Sequence, residues 1–315
     1  MSPTGSSVDV VVVQKRTALE RYASDFISES GRTYFLRDGQ SDQTIKKAHD
    51  AHCQTLDSLL TYLTQQKISF ALKTLDDLSI EASSGLNYYR HGRVSGLASN
   101  LNLVISVGGD GTLLRASHFV GGQAALVGLN SVPQHSVGHL CSLTPENLER
   151  SFSEILNKTK KPTSVRRLVC RPSTGDTLPY ALNDIYFGHQ HPASASRYRL
   201  LIEGPRAREE KQLSSGVWVA TPAGSTAAIR SYGLGPLELT DKKFMFAVRE
   251  PYSQTGHAPQ LSKLILDGDN ESLTLFSRMR NGIVCIDGPM TACVLGFGDS
   301  LEIGLGSEGA LLLHI

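Results

Sequence analysis

The chain has 315 residues, 40% hydrophobic and 19% charged, which is length and composition for about two ordinary globular domains and excludes a fibrous or disordered protein. With 31 basic residues against 30 acidic the formal charge is +1 and no basic run stands out, which argues against a nucleic-acid-tracking surface. Five cysteines, Cys53, Cys141, Cys170, Cys285 and Cys293, show no Cys-x-x-Cys pair and no histidine at ligand spacing, so they read as free thiols and not as a disulfide framework or a metal site.

The N-terminal residues 1–7 are polar, and the apolar run 8–13 is interrupted by Gln14, Lys15 and Arg16. That run is too short for a signal peptide core or a membrane span, so the expectation is a cytoplasmic protein with no membrane partner. Residues 8–13 predict a strand. Ile45, Ala48, Leu56, Leu59, Leu60 and Leu63 recur at three- and four-residue steps and predict a helix over 43–65. Apolar runs at 68–72, 101–107 and 125–130 predict further strands, with a helix over 112–120 between the last two. Such runs, bounded by glycine and followed by helices, imply a parallel sheet buried on both faces.

Thr144 as N-cap, Pro145 as first helical residue and the apolar face of Leu148, Phe152, Ile155 and Leu156 predict one more helix. The rhythm then changes. Short strands are predicted at 165–171, 180–188, 197–203, 213–221, 244–250, 273–276, 283–287 and 301–305, with turn residues between them, as in a β-sandwich. The charged stretch 206–211 reads as a solvated loop, and only the segment after Ser225 reads as helical. The fold class expected is therefore α/β plus β. A Rossmann-like domain with a parallel sheet spans 1–143, a β-rich, sandwich-like domain spans 144–294, and a C-terminal segment, 295–315, is able to return to the first domain.

Three segments carry chemistry. In the first, a buried strand runs into Gly108-Gly109-Asp110-Gly111-Thr112, which holds one carboxylate among three glycines at the carboxyl end of a parallel strand. Open α/β sheets bind ligands there. Glycines let backbone N–H groups approach a phosphate, and a helix N-terminus adds a favourable dipole. The segment matches neither Gly-x-x-x-x-Gly-Lys-Ser/Thr nor Gly-x-Gly-x-x-Gly, which excludes a P-loop hydrolase and an ordinary dehydrogenase fingerprint. In the second, Thr221-Pro222-Ala223-Gly224-Ser225-Thr226-Ala227-Ala228, a strand ends in a turn of small residues that lets a flat base lie close, and Ser225 or Thr226 is placed to cap a following helix. In the third, Asn183-Asp184 sets an amide beside a carboxylate in an apolar strand, so at most one of them points into the core. His118, His189 and His191 read as polar surface neighbours.

Together with Asp287-Gly288, these segments resemble those of the NAD kinases, in that family's order. Gly138-His139-Leu140-Cys141 and Val248-Arg249-Glu250-Pro251 look closer to its plant-type NADH kinase branch. The resemblance implies a phosphotransferase that takes the γ-phosphoryl of ATP, with Mg²⁺, to the 2′-hydroxyl of the adenosine ribose of NADH or NAD⁺. It assigns Asp110 to that hydroxyl as catalytic base. Gly108, Gly109, Gly111, Thr112, Asn183, Asp184, Thr221, Ala223, Gly224, Ser225, Thr226 and Asp287 become dinucleotide-binding residues, and a homodimer is expected. Ser215 stands where most of the family has an acid, which implies less attraction for the cationic ring of NAD⁺ and a preference for NADH. Two rivals are a lipid kinase of the diacylglycerol or sphingosine type, which shares a Gly-Gly-Asp-Gly element, and a dinucleotide sensor without turnover.

Overall fold

In the computed structural model the described residues are 10–25, 39–77, 103–120, 124–135, 138–157, 159–175, 178–253, 259–289 and 291–312. They divide into two compact units. The first runs up to Pro162 and takes in the chain's end from Leu311. The second covers Thr163–Ala310.

The first unit opens with β1 (Val10–Gln14), α1 (Ala18–Asp25), α2 (Gly39–Gln65) and β2 (Phe70–Thr74), and continues with β3 (Leu103–Gly108) and α3 (Asp110–Ser117). It closes with β4 (Ala125–Asn130), β5 (Cys141–Leu143) and α4 (Leu148–Leu156). Parallel pairing gives the order β2-β1-β3-β4, with β5 against the second half of β4. Leu311 and Leu312 lie parallel to Ala125 and Leu126 on the first half of β4. The apolar runs are buried on both faces: Val10 to Val13 are sealed from solvent, and so are Val104, Ile105 and Val107. Leu59 and Leu63 of α2 and Phe152 of α4 pack into the same core, so the periodicity read over α2 describes its inner face.

Two helix starts differ from expectation. Helix α3 begins at Asp110, two residues earlier than predicted, because Gly109 takes the extended N-cap conformation (φ −98°, ψ −171°). Helix α4 is capped at Asn147 and not at Thr144. The Asn147 side chain accepts the Thr144 N–H at 2.7 Å and closes a turn that contains Pro145. Residues 8–9 and 101–102 of the predicted strands lie outside the described residues, as does the side chain of Leu156.

The second unit holds β6 (Thr163–Pro172), β7 (Asp184–His189), β8 (Ser196–Glu203), β9 (Arg208–Ser214), β10 (Val217–Ala220) and β11 (Lys243–Val248). Strands β12 (Lys263–Asp267), β13 (Ser272–Ser277), β14 (Gly282–Ile286), β15 (Thr291–Leu295) and β16 (Ser300–Leu312), the last as far as Ala310, complete it. One antiparallel sheet runs β12-β11-β10-β7-β14-β15 and another β16-β13-β8-β9, with β6 on β16. Their inner faces share one core, where Phe187 and Tyr198 meet edge to face at 5.6 Å between ring centroids. The stretch read as a charged loop is instead largely β9, paired along its length with β8. The helix expected after Ser225 is a pair of 3₁₀ turns, Ala223–Thr226 and Ala228–Tyr232, neither with a side-chain cap. Ser225 and Thr226 thus lie inside the first turn and cap nothing.

Candidate active site

In the first unit, β3 delivers the chain to the glycine-acid element at the carboxyl end of the sheet. A Cβ on Gly108 would fall onto the Thr112 hydroxyl, so glycine is what lets Thr112 fold back beneath the turn. The Thr112 N–H donates to the Gly109 carbonyl at 2.9 Å and starts α3. Both oxygens of the Asp110 carboxylate accept backbone N–H groups, Oδ2 from His139 and Oδ1 from Leu140, each at 2.9 Å. Gly138, at φ +65°, makes the turn that aims these donors. The Cys141 thiol also bonds to this carboxylate, and since a carboxylate offers about four acceptor positions, Asp110 is fixed in orientation and still able to accept from a ligand. A Cβ on Gly111 would meet nothing within 4 Å, so the first turn of α3 opens onto unfilled space.

Beside Gly109, and near the carboxyl ends of β1, β3 and β4, lies a cavity of about 140 Å³ whose walls include Lys15, Arg21, His49, His52, Asn130 and His135. Helix α2 is tied to the glycine turn through Ser131. Its hydroxyl meets His52 Nδ1 at 2.8 Å, its carbonyl accepts the Thr55 hydroxyl at 3.1 Å, and its N–H donates to Gly108 O at 3.2 Å. Burial, then the nearby Arg21 charge, lowers the Lys15 pKa. Burial, then Lys15, pushes His52 down to about 4, so its ring is neutral at pH 7. None of these cavity side chains stood out in the sequence. The available signal was Lys15, a cation placed directly after the first strand.

In the second unit, Asp287 (φ +50°) turns its carboxylate onto the chain around Asn183. Oδ2 accepts the Leu182 N–H at 2.8 Å, while Oδ1 accepts those of Asn183 at 2.7 Å and Asp184 at 3.1 Å. Thr221, fully buried, donates its hydroxyl to Leu182 O at 2.6 Å and accepts the Gly224 N–H at 3.1 Å. Ser225 donates to Pro222 O at 2.7 Å and accepts the Leu237 N–H at 3.0 Å. A Cβ on Gly224 would collide with the Asn183 carbonyl. Asp287, Thr221, Gly224 and Ser225 therefore form a frame that holds Asn183-Asp184 against the turn beginning at Ala223. Asn183 is half-buried and donates its side-chain amide to Asp184 Oδ2 at 3.1 Å. Asp184 is buried, and burial followed by the charge of Asp287 raises its pKa to about 7. Ala223 is buried and Thr226 half-buried.

Position 215 does not lack a neighbouring negative charge, contrary to the expectation from Ser215. Glu250, at φ +49°, turns back so that its carboxylate accepts the Ser215 hydroxyl, and Arg249 Nε lies 4.0 Å from the same carboxylate. An anion is therefore present beside position 215, supplied from a different strand end. Among the described residues no group of three or more His, Cys, Asp or Glu side chains is arranged to hold a metal ion.

A glycine turn presenting a fixed carboxylate beside a basic cavity, and a framed Asn-Asp pair on a β-unit, are features suited to phosphate-bearing, hydroxyl-rich ligands. No protein-family model matches the chain. A protein of Oryza sativa subsp. japonica named "Probable NADH kinase" is 34% identical over 223 residues, 65% of this chain and 68% of that one. The NADH kinase of Arabidopsis thaliana is 32% identical over 235 residues, 69% of this chain and 73% of that one. Among solved structures, yeast NADH kinase complexed with NADH matches with a TM-score of 0.68 at 16% identity, covering 100% of this chain and 88% of that one. An NAD kinase from Archaeoglobus fulgidus in complex with ATP matches at 0.62 and 18% identity, covering 96% and 93%; at these identities the two matches speak for the fold. The chain belongs to the NAD kinase family.

Proposed function

We propose that this chain is an ATP-dependent NAD(H) kinase in which Asp110 takes the proton of the adenosine-ribose 2′-hydroxyl. In that step the ribose oxygen bonds to the γ-phosphorus, the bond to the β–γ bridging oxygen breaks, and ADP leaves. Mg²⁺ carried in with ATP would supply charge neutralisation on the transferring group. The observation that carries the reading is the Asp110 carboxylate, held by the His139 and Leu140 N–H groups and the Cys141 thiol at the carboxyl end of β3 with acceptor capacity left over. A ribose hydroxyl is a poor nucleophile at neutral pH, and a positioned carboxylate supplies the missing base.

Preference for NADH over NAD⁺ is part of the proposal. With Glu250 beside Ser215, its support shifts from local charge to the plant relatives named NADH kinase. A homodimer in the cytoplasm is proposed as well, to be tested by light scattering and by localisation of a tagged chain. The central experiment incubates the purified protein with Mg²⁺, ATP and NADH or NAD⁺ and follows NADPH or NADP⁺. Formation of neither product overturns the kinase reading in favour of a sensor. A kcat/KM ratio of one between the two acceptors removes the preference.

A further inference from the structure

Cys141 opens β5 directly after the two residues whose N–H groups hold Asp110, and its thiol bonds to the same carboxylate. We infer that this thiol is a positioning group for the transfer step: it donates a hydrogen bond that keeps Asp110 in the orientation in which it takes the ribose proton. The role rests on the kinase reading, whereas the bond itself does not.

The fold makes room for the sulfur. Cys141 pairs with Gly128 of β4, and a Cβ on Gly128 would lie 2.7 Å from the Cys141 sulfur and 2.8 Å from Leu113 Cδ1. Glycine at 128 thus leaves a space beside α3 that the half-buried thiol occupies. His139 and Leu140 belong to the turn before β5, but Cys141 is a strand residue, so the thiol links the acid to the parallel sheet itself. A base must keep its acceptor in line with the proton it removes, and a small misplacement is expensive in rate.

A thiol has one hydrogen, and two acceptors compete for it. The Gly108 carbonyl is 4.0 Å from the sulfur, long even for a sulfur donor, and it already accepts the Ser131 N–H at 3.2 Å. The carboxylate is charged, and charge-assisted bonds are roughly twice as strong as neutral ones, so the hydrogen goes to Asp110. Burial, then the charge of Asp110, pushes the thiol well above its ordinary pKa. Cys141 therefore remains a donor through the reaction, and the proton leaving the ribose hydroxyl goes to a remaining acceptor position on Asp110.

The test compares Cys141→Ala with Cys141→Ser in the full chain. Both lose the bulk of sulfur and only serine keeps a donor, so packing and donation are separated. With saturating ATP and NADH, Cys141→Ala is expected to lose at least ~10-fold in kcat, the lower end for one hydrogen bond to a charged group, while KM for NADH stays near the wild-type value. Cys141→Ser is expected to recover most of that loss. Equal losses in the two variants, or wild-type kcat in Cys141→Ala, overturn the positioning role. The bond is read without turnover from the infrared S–H stretching band of Cys141, isolated by subtracting the spectrum of Cys141→Ser. That band is expected below the frequency of a free thiol and should rise when the same subtraction is made in an Asp110→Ala background; a band that stays put overturns the bond and the role together. A chain that shows the band shift but phosphorylates no dinucleotide loses the kinase reading, and the role with it, while the bond stands.

Discussion

Asp184 offers a prediction whose size follows from the structure. Its carboxyl is buried at the start of β7, and the clamp formed by Asp287 places a second carboxylate on the same stretch of backbone. Burial, then that charge, raises its pKa from 3.8 to about 7. The folded state therefore binds this proton more tightly than the unfolded chain does. Between pH 4 and 7 the native protein holds more protons, so stability falls as pH rises, and the full penalty is present above pH 7. From pH 5 to 8 the unfolded group is ionised throughout, while the folded group stays neutral for about two pH units. The difference is on the order of 2–3 kcal/mol.

Asp184→Asn removes the titration and keeps an oxygen facing the Asn183 amide. Urea unfolding of both proteins at pH 5 and pH 8 is the assay, since other titrating groups cancel in the comparison. The variant should gain on the wild type by roughly 2 kcal/mol as pH is raised from 5 to 8. An unchanged gap between the two proteins, or one that moves the other way, would refute the claim that the fold keeps this carboxyl near its neutral form.

Other outcomes follow from the same geometry. Asp110→Asn should keep the fold and most dinucleotide affinity while losing at least ~10²-fold in kcat, measured with saturating ATP and NADH; wild-type turnover would remove Asp110 from the mechanism. Gly111→Ala places a methyl in the open space over α3, so thermal unfolding should shift little while affinity for phosphate-bearing ligands falls. Gly224→Ala drives a Cβ against the Asn183 carbonyl and should destabilise by about 1–3 kcal/mol, with activity falling in step. Glu250→Gln removes the anion beside Ser215 and should raise the NADH-to-NAD⁺ ratio of kcat/KM, while Ser215→Asp should lower it. An unmoved ratio in both would place the nicotinamide elsewhere.

How much of this was legible depended on whether a residue's role is local. The runs that became β1, β3 and β4 were visible because a parallel strand buried on both faces must be apolar at every position. Strand β9 was not, because Arg208, Glu209, Glu210 and Lys211 show no alternation of apolar and polar residues. It is held by its ladder with β8 and by Glu210, whose carboxylate accepts the N–H groups of Gln260 and Leu261, each at 2.9 Å. Nothing within 206–211 announces partners some fifty positions away. The basic cavity was hidden in the same way. Lys15, His52 and His135 belong to three separate segments, and only the packing of α2 over the strand ends brings them together.

The motif residues also turn out to be of two physical kinds that a sequence pattern cannot separate. Thr221, Ser225 and Asp287 have their polar atoms bonded to backbone a short distance away, and Gly224 is where a carbonyl passes too close for any side chain. Asp110 keeps acceptor capacity beyond its bonds to His139, Leu140 and Cys141, Gly111 faces open space, and the side chains of Asn183 and Asp184 bond to each other. The first group sets the shape and the second has capacity left for a ligand. Substitution in the frame should therefore lower stability and turnover together, because the pair it holds moves with it. Substitution in the ligand-facing group should lower turnover or affinity while melting behaviour stays near that of the wild type, or improves, as at Asp184. A frame variant such as Thr221→Val that melts normally yet loses dinucleotide binding would break that division.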